Sequence, residues 1–324
     1  MPKIFIEIQL NQMNGEAKKV QNTYLTLTLL NTLAASLIWG INTLFLLDAG
    51  LSNTEAFAAN AFFTAGQLIF EVPTGVVADS RGRRTSFLLG CFTLGVSTAL
   101  YLLMWQISAP FWGWAISSVL LGLGFTFFSG AVEAWLVDAL HAKKFKGNLE
   151  HVFARGQIVA GIAMLTGSVA GGVIAQATNL GVPYIVRSAI LGITFVVAFM
   201  LMRDIGFTPQ KGKAPVKEMK KIFNASVEHG IRNRQVRWIM LSSPFITGVS
   251  FYAFYAMQPY LLQLYGDPNA YSIAGLIAAI VASSQILGGL FVPKIITLFK
   301  KRTTILLYAA GVNAIVLFGF GLAG

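Results

Sequence analysis

The chain has 324 residues, of which 55% are hydrophobic and 11% charged, with a mean hydropathy of +0.67. Soluble domains carry about 25% charged residues, so the composition excludes a soluble globular protein and implies a polytopic membrane protein. The net charge of +11 is not that of a nucleic-acid-binding face. Every Lys and Arg except Arg187 falls in the N-terminal segment, in alternate connecting segments or at the helix ends that flank them. That alternation is the positive-inside pattern, and it predicts a multi-pass protein of the plasma (inner) membrane with a cytoplasmic N-terminus. Cys91, the only cysteine, lies in an apolar run, which excludes disulfides and Cys-rich metal sites. No cleavable signal peptide precedes the first span, which is expected to act as an uncleaved anchor.

Nine apolar spans are predicted, and each is long enough to cross a bilayer as a helix. Span 1, about Tyr24–Leu47, carries Thr28, Asn31, Ala35, Trp39 and Asn42 at helical spacing. Polar groups on one face of a membrane helix point to a watery cavity or a helix–helix contact. Span 2, about Ala56–Ala78, holds Glu71 and Pro73, and the proline is expected to kink it. The turn after it, Asp79-Ser-Arg-Gly-Arg-Arg84, joins span 2 to span 3, about Thr85–Gln106. Gly82 supplies the left-handed backbone that so short a reversal needs. Gly75, one turn before Asp79, is expected to let another helix approach closely. Asp79 ends a helix where the dipole disfavours an anion, so it is expected to find cationic partners.

Span 4, about Pro110–Leu140, places Thr126, Ser129 and Glu133 near one face and Asp138 at its inner end. Span 5, about Val152–Gln176, is dense in small residues that admit close backbone packing. Span 6, about Pro183–Met202, contains Arg187, which is expected to snorkel to the outer surface. A basic segment, 203–237, follows, with Val216, Met219, Phe223 and Val227 at helical spacing. This pattern reads equally as an amphipathic surface helix and as a solvated linker. Spans 7, 8 and 9 follow at about Trp238–Leu264, Tyr271–Phe299 and Thr304–Leu322. Three domains are therefore expected: an N-terminal six-helix bundle over 1–202, a cytoplasmic linker over 203–237 and a partial second bundle over 238–324. A weak repeat relates Gln67–Thr85 to Gln285–Thr303, with Arg83 and Arg84 falling on Lys301 and Arg302.

The pattern Gly75-x-x-x-Asp79-x-x-Gly82-Arg83-Arg84 resembles the loop between helices 2 and 3 of the major facilitator superfamily. The run Ala163-x-x-x-Gly167-Ser168-x-x-Gly171-Gly172 resembles the antiporter-associated signature of its helix 5, with Ala163 and Ser168 as departures from glycine and proline. Aligned on Gly122, helix 4 has Ser118 where many proton-coupled antiporters place an arginine. The resemblance implies an all-α fold of two six-helix bundles, here in the form of a chain truncated after helix 9. It also implies a conformational latch formed by Gly75, Asp79, Gly82, Arg83, Arg84 and Asp138. In this fold helices 1, 4 and 7 line the cavity, and here they offer Asn31, Trp39, Asn42, Thr126, Ser129, Thr247, Phe254 and Gln258.

Glu71 and Glu133 are the acids most clearly within hydrocarbon, and a buried carboxylate there needs a partner or a proton, so both are proton-coupling candidates. The three histidines, His141, His151 and His229, show no metal-ligand spacing, and no Walker-type loop is present. Neither a cofactor, a metal nor enzymatic activity is expected. The expected function is secondary transport by alternating access: proton-coupled efflux of small amphiphilic compounds by a monomer in a lipid bilayer. The alternatives are uptake of a small metabolite, or a membrane scaffold or sensor that uses the basic segment.

Overall fold

A computed structural model describes residues 15–209, 220–221, 224–298 and 302–322. The described residues fold into helices α1 (Gly15–Trp39), α2 (Asn42–Asp48), α3 (Asn53–Arg81), α4 (Arg83–Gln106), α5 (Phe111–Phe128), α6 (Ala131–Ala142), α7 (Leu149–Ala177), α8 (Val182–Leu201), α9 (Arg234–Tyr265), α10 (Tyr271–Leu298) and α11 (Arg302–Leu322). No strand occurs among them, as an apolar solvent requires of open-chain structure. Among the described residues seven helical spans are long and apolar enough to cross a bilayer, α5 with α6 counting as one, and α1 with α2 makes an eighth, bent by 47°. The ninth predicted span is α11, whose described apolar stretch, Leu307–Val316, is shorter than a bilayer core requires. Most of the predicted amphipathic pattern in the basic segment, and the repeat position Lys301, lie outside the described residues.

Two predicted spans are not single helices. Span 1 breaks at Gly40–Ile41 and span 4 at Ser129–Gly130, where Gly130 takes φ +66°. Thr126, Ser129 and Glu133 therefore do not share one continuous helical face. Pro73, by contrast, lies inside an unbroken α3. A capping box starts that helix: Ser52 Oγ accepts from the Glu55 amide at 3.3 Å, and the Glu55 carboxylate accepts from the Ser52 amide at 2.9 Å.

Small residues set the packing. α1 lies on α7 and α8, α3 on α5, α4 on α5 and α8, and α7 on α10. A Cβ at Gly171 would strike the Leu37 carbonyl oxygen of α1, and one at Gly167 the Ser36 hydroxyl. Ser36 Oγ donates to the Ala163 carbonyl at 3.1 Å across the same seam. On the other flank of α7, a Cβ at Gly172 would lie 2.9 Å from Cα of Gly275 in α10. One small-residue helix thus holds α1 on one side and the later helices on the other. Gly66 and Gly122 play the same part between α3 and α5, where a Cβ on Gly66 would lie 2.6 Å from the Val119 carbonyl. Gly75 does not: within 4 Å of its Cβ position there is no described atom. No described helix comes close at Gly75, and α5 meets α3 two to three turns earlier.

Candidate functional site

The break in the first span is where α9 and α10 meet α1 and α2. Ending α1 at Trp39 and restarting at Asn42 leaves a carbonyl and an amide without intrahelical partners, the amide buried and the carbonyl partly so. Gln258 of α9 supplies the partners: its Nε2 donates to the Trp39 carbonyl at 3.2 Å, and its Oε1 accepts from the Thr43 amide at 3.3 Å. Gly40 is needed at the break because α10 passes over it, with Ala278 Cβ 2.8 Å from where a Gly40 Cβ would stand. The Trp39 ring stacks on Phe254 of α9 at 4.6 Å between centroids. Asn42, the first residue of α2, donates to Asn60 Oδ1 of α3 at 2.9 Å and accepts from the Tyr184 hydroxyl of α8 at 2.8 Å. Phe45 stacks on the Tyr184 ring at 4.1 Å, which fixes the short α2 to the bundle.

Beside the break lies a cavity of about 80 Å³, lined by Trp39, Asn42, Asn60, Tyr101, Arg187 and Tyr255 among others. Arg187 does not snorkel. It is 1% exposed and points inward, with Nε donating to Thr98 Oγ1 at 3.2 Å and Nη1 to the Ala34 carbonyl at 3.4 Å. Its guanidinium carbon lies 5.8 Å from the centroid of Phe125. A long stem placed it within reach of three helices, and their acceptors outcompeted a route to the surface. Ser118 meanwhile bonds the Tyr101 hydroxyl at 2.6 Å, so the buried cation comes from α8 and not from the fourth span.

A second cavity, about 150 Å³, is lined by Tyr24, Thr28, Asn31, Glu133 and Gln157 among others. Asn31 and Glu133 thus come together, apart from Trp39 and Asn42. Glu133 is exposed to this space and sits in the first turn of α6, where the helix dipole favours an anion. The expected burial of its carboxylate is corrected: Glu133 is exposed and lines the cavity. Glu71 is exposed as well, and its carboxylate accepts from the Ser129 hydroxyl at 2.6 Å, tying α3 to the break. Thr126 is buried and turned back on its own helix, donating to the Leu123 carbonyl at 2.8 Å. Thr247 is exposed and lines neither cavity.

At the turn between α3 and α4, Asp79 and Arg83 pair at 2.6 Å, and Arg83 Nε lies 3.9 Å from Asp138. Each of that first pair sits at the unfavourable pole of its own helix, and each compensates the other. Gly82 has φ +107°, and a Cβ there would collide with the Asp204 carboxylate. Asp204 accepts from the Arg84 amide at 2.9 Å, while Arg84 Nη2 donates to the Phe199 carbonyl at 2.7 Å. Asp204 escaped the sequence reading; its one signal is an acid standing at the start of a basic segment, and here it caps α4 from the far end of α8.

The sequence model of the Major Facilitator Superfamily matches residues 24–324. An uncharacterized MFS-type transporter of Methanocaldococcus jannaschii is 25% identical over 223 residues, which cover 69% of this chain and 54% of the relative. The chain thus spans about half the length of that curated relative. A family match over nearly the whole chain, on an all-helical fold with helices long and apolar enough to cross a membrane, assigns this protein to the major facilitator superfamily.

Proposed function

We propose that the protein is a secondary transporter that works by alternating access, driven by protons and exporting small amphiphilic compounds. One observation carries the reading: a cavity stands at the break of the first span, and the freed backbone groups there are held by Gln258 from the other helix group. Discontinuous helices at the junction of two bundles are how transporters build a site near the membrane midplane. In this reading 1–202 and 238–324 are the two bundles and 203–237 is the cytoplasmic linker. They rock about the contacts of α2 with α9 and of α7 with α10. Gly75, Asp79, Gly82, Arg83, Arg84 and Asp138 form the latch on the cytoplasmic side, with Asp204 added to it. Asn31 and Glu133 line the cytoplasmic vestibule, and Glu133 takes and gives the proton.

Counterflow tests the reading. Liposomes carrying the full chain, preloaded with one unlabelled solute from a panel, are diluted into the same labelled solute. Transient accumulation above equilibrium is expected for at least one member, and none across the panel with correctly folded protein would refute it.

A further inference from the structure

We infer that the cavity beside the break is a carboxylate site, and that the solute it takes is an organic acid with an apolar body. The inference deepens the transport reading and rests on it for its physiological meaning, though not for the binding itself. Two buried donors of residues lining this cavity have no partner among the described residues: Nη2 of Arg187 and Nδ2 of Asn60. Arg187 is 1% exposed and Asn60 4%. A buried, unpaired cation is costly, and an unfilled buried donor costs nearly as much as the bond it lacks. The cavity lining holds no carboxylate, and among the described residues Arg187 makes no ion pair.

Most of its other polar neighbours are already engaged. Asn42 is used by Asn60 and Tyr184, Tyr101 by Ser118, and Thr98 and the Ala34 carbonyl by Arg187 itself. What remains is a pair of N–H donors, with the Tyr255 hydroxyl beside them, within a ring of aromatic faces from Trp39, Phe63, Tyr101, Phe125 and Tyr255. A guanidinium fork and an amide N–H present donors to the two oxygens of a carboxylate, and the rings suit an aromatic or aliphatic body. A cationic solute meets the opposite of what it needs at this point. The export of amphiphiles is thereby narrowed to acidic ones, with Arg187 the recognising charge.

Binding is measured on the detergent-solubilised full chain by Trp fluorescence and thermal unfolding, with sodium benzoate as the probe. Sodium chloride and benzylammonium chloride at equal ionic strength are the comparison arms. Benzoate is expected to bind saturably and raise the melting temperature, while neither comparison salt does so. Arg187→Met is expected to weaken benzoate about 10- to 100-fold, and Asn60→Ala by less. Arg187→Lys keeps the charge without the fork and falls between wild type and Arg187→Met, which covers the case in which Arg187→Met does not fold. Unchanged benzoate affinity in the folded arginine variants would overturn the inference, as would equal stabilisation by chloride or no benzoate binding at all. Benzoate binding without counterflow of any solute would sink the transport reading alone. Counterflow of other solutes with no benzoate binding would sink this inference alone.

Discussion

Gly171→Ala is expected to cost about 3 kcal/mol or more, the upper end for overpacking, because the added methyl would have to occupy the space of the Leu37 carbonyl oxygen. That oxygen belongs to the backbone of α1, so no side-chain rotation relieves the collision, and α1 must move off α7. The displacement reaches the break at Gly40, since Leu37 lies in the last turn of α1. Gly192→Ala is the comparison, because no described atom lies within 4 Å of its Cβ position. There the added methyl is neutral or stabilises by up to about 1 kcal/mol through helix propensity. Unfolding in mixed micelles measures both. Equal midpoints for the two variants would show that the α1–α7 seam is looser than described.

The second large effect concerns coupling. Glu133→Gln removes the carboxylate from the cavity shared with Thr28, Asn31 and Gln157. Glu133 is exposed to that space and stands at the head of α6, beside the break in the fourth span. A permanently neutral side chain is expected to abolish accumulation driven by a pH gradient while leaving solute exchange, which moves no net proton. Glu71→Gln keeps an oxygen to accept from Ser129 and is expected to retain pH-driven accumulation. Retained accumulation in Glu133→Gln, or its loss in Glu71→Gln alone, would move the coupling role away from Glu133.

The spans were legible because hydropathy and loop charge are local properties of the chain. The breaks were not, because their causes are distant in sequence. Gly40 looks like any small residue in a membrane helix until α10 is laid across it, and the partner that completes Thr43 stands 215 positions later. Arg187 shows the same limit. Its distance from the span end argues for snorkelling, and only the fold places Thr98 and the Ala34 carbonyl within its reach. Sequence motifs also located glycines better than they explained them. Gly171 and Gly167 pack as their spacing implies, whereas Gly75 faces no described atom, and Gly66 and Gly122, to which no packing role was given, make the α3–α5 contact. The turn at Gly82 was legible in its backbone demand, but the carboxylate of Asp204 that fills the space beside it came from another helix end.

Alternating access is tested most directly at the end of the bundle opposite the basic turn. There Asn53 of α3 and Gln263 of α9 flank a cleft of about 570 Å³. Spin labels at Asn53→Cys and Gln263→Cys, in a Cys91→Ala background, report the separation of the two helix groups across it by pulsed electron resonance. Two distance populations are expected in the full chain in lipid, with the ratio between them shifted by a transported solute and by pH. A single distance that neither solute nor pH alters would contradict the account.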